Sequence, residues 1–274
     1  MPFDAPRYLE RIGWRGPLGS LTPTLETLTA LGALLRAHMR GIPFENLDVL
    51  LGRGIRLDLD SVSAKLVDAK RGGYCFEHST LFRAALEHAG FEPRAHSARV
   101  ILLTPRRNAP RTHMFLTAAV EGTTYVLDPG FGGHGPLVPL PLVEDVEVRD
   151  GPDAHRLTRR DGEWVLEARI NGTFAPLWMS TLEPEAPIDF TVANHFTATW
   201  PESAFVQRLM LRALTPDGRR VSVMNRDVTV ARDGVFETSQ LASRSALRAL
   251  LEREFQIDLP EVERLRVPTI PEWD

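Results

Sequence analysis

Arg71-Gly72-Gly73-Tyr74-Cys75-Phe76-Glu77-His78 interrupts the helical pattern that fills the first ~90 residues of this chain. The paired glycines break whatever precedes them. The run from Cys75 to Ala89 then has helical spacing, with Gly90 placed where a left-handed residue closes a helix. Cys75 therefore falls in the first turn of a predicted helix. It is the only cysteine in 274 residues, so it can form neither an intramolecular disulfide nor a multi-cysteine zinc site. Two readings remain for it, a small buried hydrophobe or a nucleophile. A helix start favours the second, because unpaired amides and the helix dipole stabilise a thiolate.

Working upstream, the pattern stays helical. Thr22 reads as an N-cap with Pro23 at the first helical position, and Leu25, Leu28, Leu31, Leu34, Leu35, His38 and Met39 follow at helical spacing until Gly41. Taken together they form a core stripe. Ser61–Lys70 reads as another helix, and Pro43-Phe44-Glu45-Asn46-Leu47 as the loop between the two. Downstream of about Arg94 the period changes to two. Strands are predicted over Ala95–Leu103, Thr112–Val120, Thr124–Asp128, His155–Arg159, Trp164–Ile170 and Thr173–Met179. Glu121-Gly122, Asp161-Gly162 and Asn171-Gly172 supply hairpin turns, which implies a mostly antiparallel sheet or small barrel. The tail, from about Glu202, mixes strands (Phe205–Leu214, Arg220–Asn225, Asp227–Ala231) with a closing helix, Ser245–Phe255. The resulting division is 1–90 helical, 91–201 β and 202–274 α/β.

The bulk composition is that of a globular protein, 43% hydrophobic and 25% charged. A formal charge of −4 and a pI near 6.1 give no basic face for nucleic acid. No apolar run is long enough to span a bilayer, and Met1-Pro2-Phe3-Asp4 lacks the basic and apolar parts of a signal peptide. With a single cysteine, these features predict a cytoplasmic protein.

A nucleophilic thiol needs a base and a third group to orient that base. His38 and His88 lie on helices, and His155 and His195 have no suitable acid nearby in a strand pattern. His78, three residues after Cys75, reads as an ordinary helix residue. His113 is placed by geometry. If Glu121-Gly122 is a two-residue turn, Val120 pairs with Thr123, and Asp128 falls opposite Phe115. Phe115 shares a face with His113, because strand side chains alternate. His113 and Asp128 are then diagonal neighbours about 7–8 Å apart by backbone, within reach of their side chains. What remains is for the Cys75 helix to pack on that sheet. Asp128 before Pro129-Gly130 is also an ordinary turn-former. Gly132-Gly133-His134-Gly135 lacks the spacing of a nucleotide-binding fingerprint and reads as a flexible turn. Phe44, Phe131 and Trp178, taken singly, read as core.

These residues resemble the arylamine N-acetyltransferases along nearly the whole chain. Tyr8-Leu9-Glu10-Arg11-Ile12-Gly13, Ile42-Pro43-Phe44-Glu45-Asn46-Leu47-Asp48, the Arg71–Glu77 stretch, Thr112-His113-Met114, Asp128-Pro129-Gly130-Phe131-Gly132 and Leu251-Glu252-Arg253-Glu254-Phe255 are each similar to motifs of that family. The resemblance implies an α+β fold: a helical bundle, a central antiparallel β-barrel and an α/β lid, with a Cys-His-Asp triad arranged as in papain-like and transglutaminase-like enzymes. By motif, Cys75 is the acyl acceptor, His113 its base and Asp128 the orienting acid. Arg71 and Glu45 form a structural ion pair. Phe44 and Phe131 wall the acceptor pocket beside Tyr74, and Gly132 and Gly133 leave room for coenzyme A. Two positions depart from the family pattern. Pro129 replaces an aliphatic residue and removes a backbone donor, and Ser79 stands where Asn is frequent.

The resemblance further implies a cytoplasmic enzyme of xenobiotic metabolism. It would move acetyl from acetyl-coenzyme A, as co-substrate, through an acetyl-cysteine to arylamines, arylhydrazines or N-hydroxyarylamines. No metal, bound cofactor, nucleic-acid or membrane partner is expected, and self-association is open. An amide synthase, a thioesterase or peptidase of the same fold and triad, and a non-catalytic binding module are the alternatives.

Overall fold

The computed structural model describes residues 3–16, 18, 25–232, 234–270 and 272–273. Thr22 and Pro23 lie outside them. Helix α1 (Ala5–Arg11) is capped by Asp4, whose side chain accepts from the Arg7 amide at 3.1 Å. Helix α2 (Leu25–Gly41) buries Leu31, Leu34 and Leu35 as its spacing predicts. Its last residue is Gly41, where a Cβ would sit 2.5 Å from the Ile12 Cα, so no side chain fits there. Helix α4 (Leu59–Ser63) starts from the Asp58 cap and runs on as a π-helical turn, Ala64–Asp68, before Lys70 turns the chain with φ +51°. Helix α5 (Cys75–His88) ends one residue earlier than its pattern suggests, followed by Gly90 at φ +89°. Leu81, Phe82, Ala85 and Leu86 of α5 pack with the α2 leucines and with Leu116 and Leu127 of the sheet behind.

The 43–47 segment is not simply a loop. Phe44–Glu45 is a strand, β1, and Leu47–Leu50 a short helix, α3. Buried backbone must find partners, and Phe44 and Glu45 find theirs in Arg212 and Leu211 of β10 (Met210–Leu214), far along the chain.

Eight antiparallel strands follow α5: β2 (Arg94–Val100), β3 (Arg111–Val120), β4 (Thr123–Leu127), β5 (Leu140–Pro141), β6 (Val148–Asp150), β7 (Asp153–Arg160), β8 (Glu163–Ile170) and β9 (Thr173–Ser180). Their order is β5-β4-β3-β2-β9-β8-β7-β6. The chain after β5 returns against β7, where the Asp145 amide donates to the Leu157 carbonyl, so the sheet is a nearly closed barrel. Its three predicted hairpin turns have both central residues at positive φ, as the tight primed turns require. Strand β2 stops at Val100, short of the expected Leu103, after a bulge at Ala98/Arg99.

Helix α6 (Pro187–Thr199), not anticipated, leads to α7 (Ala204–Gln207), which occupies the start of the expected Phe205–Leu214 strand. A second antiparallel sheet, ordered β1-β10-β11-β12-β13, adds β11 (Arg220–Met224), β12 (Asp227–Arg232) and the unforeseen β13 (Val235–Gln240). Helix α8 (Arg244–Leu250) and its π-helical continuation Leu251–Phe255 cover it, burying Leu247, Leu250, Leu251 and Phe255 against Leu211, Val221 and Val223. No helix among the described residues is long and apolar enough to cross a membrane, and no group of three or more His, Cys, Asp or Glu among them could hold a metal.

Candidate active site

The β3–β4 hairpin has the register its turn demands, Val120 against Thr123 through Leu116 against Leu127. Asp128 follows directly, and its Oδ2 lies 2.9 Å from His113 Nε2. Both side chains are buried, Asp128 completely. Three donors hold the carboxylate: His113, the Trp178 Nε1–H on Oδ2 at 2.9 Å, and the Gly130 amide on Oδ1 at 3.3 Å. Trp178 stacks on Phe115, ring centroids 4.3 Å apart, which fixes the direction of its N–H.

Helix α5 brings Cys75 to this pair. Ser79, one turn along, donates its hydroxyl to the Met114 carbonyl at 2.9 Å and ties the helix to β3. The thiol is 3% exposed and donates to the Thr112 carbonyl at 3.6 Å. With Nε2 of His113 taken by Asp128, Nδ1 is the ring nitrogen left for Cys75. Burial alone would depress the imidazole. The Asp128 charge and hydrogen bond, aided by Cys75, overcome it and raise His113 from 6.5 to about 10. Gly130 makes the close approach possible, since a Cβ there would fall 2.5 Å from the Cys75 Cα. Pro129 has no N–H to give, and Gly130 and Trp178 supply donors to the carboxylate instead.

The start of α5 is braced from below. Glu77 reaches back to the Tyr74 amide at 3.1 Å, half of a capping box, while its other oxygen takes Lys65 at 2.8 Å. Burial pushes the Glu77 carboxyl up to about 7, although Lys65 opposes it. Arg71 donates to Glu45 Oε1 from both Nε (3.1 Å) and Nη2 (2.6 Å), and also to Asp48. Burial works against the guanidinium charge, but the two carboxylates outweigh it and raise its pKa.

Phe44 and Phe131 each pack on an aromatic neighbour near Cys75. Phe131 meets the His113 ring edge-on at 5.3 Å, and Phe44 lies 6.2 Å from Phe205, which sequence reasoning did not single out. Tyr74 is fully buried behind Phe205, with its hydroxyl bonded to Asn194. Gly132 and Gly133, at φ +67° and +45°, lead away beside Phe44 and Arg212. Trp178 was read only as core; its signal was an indole N–H in a buried strand, which must find an acceptor.

The family model for N-acetyltransferase matches residues 24–264. The chain is 37% identical over 268 residues to the arylamine N-acetyltransferase of Mycolicibacterium smegmatis, covering 96% of this chain and 94% of that protein. It is 36% identical over 248 residues to the arylamine N-acetyltransferase / N-hydroxyarylamine O-acetyltransferase of Salmonella typhimurium, 90% and 86% covered. Among solved structures, the M. smegmatis enzyme superimposes with a TM-score of 0.87 at 35% identity, covering 97% and 96%. The Mycobacterium marinum enzyme in complex with CoA gives 0.87 at 32%, covering 94% of each. A chain with this fold and these relatives is an acyltransferase. It belongs to the arylamine N-acetyltransferase family.

Proposed function

We propose that this protein transfers an acetyl group from acetyl-coenzyme A to an arylamine, arylhydrazine or N-hydroxyarylamine in two steps through Cys75. The observation that carries the reading is the buried His113–Asp128 pair, 2.9 Å apart, beside a lone thiol at a helix start. Held cationic by Asp128, His113 favours the thiolate of Cys75. The thiolate attacks the thioester carbonyl, the bond to the coenzyme A sulfur breaks, and His113 protonates that sulfur as it leaves. The acceptor amine then attacks acetyl-Cys75. His113 takes the amine proton, the carbon–sulfur bond to Cys75 breaks, and the acetylated amine departs. Backbone amides near the start of α5 hold the oxyanion in both steps. Asp128 fixes the imidazole and stabilises its cation.

Phe44 and Phe131, joined by Phe205 with Tyr74 behind it, form the aromatic walls of the acceptor site. Gly132 and Gly133 leave backbone space for coenzyme A, a reading supported by the CoA complex of the M. marinum relative. The Arg71–Glu45 pair clamps the loop of Phe44 to that of Cys75. Burial of Cys75 keeps bulk water from the acyl-enzyme, which favours transfer over hydrolysis.

The test is incubation with acetyl-coenzyme A alone, followed by intact mass and peptide mapping. A single acetyl group on Cys75, absent from Cys75→Ala, is expected; acetylation elsewhere overturns the mechanism. Adding 5-aminosalicylate or isoniazid should then release coenzyme A far faster than without amine. Equal rates would make the protein a hydrolase.

A further inference from the structure

One turn along α5 from Cys75, His78 ends a buried chain of hydrogen bonds that the proposed chemistry does not use. The Tyr8 hydroxyl lies 2.9 Å from His38 Nδ1, His38 Nε2 lies 3.0 Å from His78 Nδ1, and His78 Nε2 lies 3.2 Å from the Pro43 carbonyl. All three side chains are at most 1% exposed. The far end of the chain fixes every proton. A carbonyl can only accept, so His78 Nε2 carries the hydrogen and Nδ1 must accept. His38 then donates from Nε2 and accepts at Nδ1 from the Tyr8 hydroxyl. Both rings are neutral in this arrangement. Burial holds them so, lowering His78 to about 4 and His38 well below its ordinary value.

We infer that His78 is a positioning residue for the acceptor site, holding the Pro43 carbonyl and through it the Phe44 wall. The inference rests on the proposed function. Pro43 precedes Phe44 directly, and its oxygen also accepts the Gly73 amide at 3.2 Å, while the Glu45 amide donates to the Gly73 carbonyl at 2.8 Å. The loop of Phe44 is therefore sewn to the glycine pair before Cys75, and His78 draws the seam toward the helix. Gly72 has no room for a Cβ, which would fall 2.3 Å from the Pro43 oxygen. The Phe44 ring lies nearly parallel to the His78 ring, at 13° with centroids 6.5 Å apart. Two imidazoles among apolar side chains are costly to bury unless each polar atom is satisfied. Here each one is, and the chain ends on the carbonyl of Pro43, the residue directly before Phe44.

Three variants of the full chain test this. His78→Leu deletes both bonds. His78→Gln keeps a donor for Pro43 and an acceptor for His38. His38→Phe breaks the chain one step back. His78→Leu should raise KM for 5-aminosalicylate about five- to tenfold, with the rate of Cys75 acetylation by acetyl-coenzyme A changed by less than about twofold. His78→Gln should recover most of the affinity, and His38→Phe should move KM the same way by less. If His78→Leu does not fold, the Gln and Phe variants carry the test on the same readouts. An unchanged KM, equal losses in both half-reactions, or a Gln variant no better than Leu overturns the inference. Hydrogen exchange across residues 43–47, faster in His78→Leu than in His78→Gln, reads the positioning without any turnover. A wild-type protein that never acetylates Cys75 would sink the proposed function and leave that readout to decide the role of His78.

Discussion

Two buried imidazoles flank Cys75, and they respond to burial in opposite directions. His113, from β3, meets the Asp128 carboxylate and is raised to about 10. His78, from the next turn of α5, meets a carbonyl and a second neutral imidazole, and burial lowers it to about 4. Both are almost wholly excluded from solvent. The partner therefore decides the charge state and burial amplifies it, since a dry site strengthens a charge pair and penalises an unpaired charge alike. In the proposed function the first ring exchanges protons with the thiol, and in the further proposal the second holds a loop without titrating near neutrality.

The most severe way to break this contrast is Asp128→Asn. It removes the charge that holds His113 cationic while keeping the shape, and Cys75 acetylation should slow by about 10³–10⁴-fold. Intact-mass time courses measure it, and a loss under about tenfold would mean that Asp128 is structural. Gly130→Ala tests the approach of the two halves. The added methyl must push the turn off the Cys75 Cα, and a displacement of this kind costs about 100-fold in the same assay. Trp178→Phe keeps the stack on Phe115 but withdraws one donor from Asp128. A loss of about tenfold is expected, with a shifted pH profile as the sign that the indole acts through the carboxylate.

The subtlest effect lies in stability against pH. His113 is raised above its unfolded 6.5, so its contribution is complete below pH 6.5 and is lost as pH climbs toward 10. His78 is lowered, so its contribution is complete above pH 6.5 and is lost as pH falls toward 4; His96, pushed down to about 4 chiefly by burial, adds to that limb. Urea midpoints across this range should show Asp128→Asn flattening the alkaline limb and His78→Gln the acid limb. If both variants flatten the same limb, the two histidines do not differ as described.

The parts of the fold that were legible are those whose partners lie close in sequence. Glu121-Gly122 fixed the β3–β4 register, and with it the meeting of His113 and Asp128, because only a tight turn with both residues at positive φ joins the strands there. Helix α6 was missed because Ile188, Val192 and Phe196 face outward and blur the inward stripe. Strand β13 is exposed along its whole length and so has no alternation to read.

The sequence by itself determined that a single thiol starts a helix and that a histidine and an aspartate share one face of a hairpin. Those follow from local geometry, a glycine pair and a two-residue turn. Only the tertiary structure decided that α5 lies on β3, that Phe44 and Glu45 join a sheet built from the far end of the chain, and that Trp178 and His78 hold the Asp128 carboxylate and the Pro43 carbonyl. Those contacts join segments from tens to well over a hundred residues apart. Their partners are chosen by packing, because a buried donor or acceptor must be satisfied by whatever group the fold brings within reach.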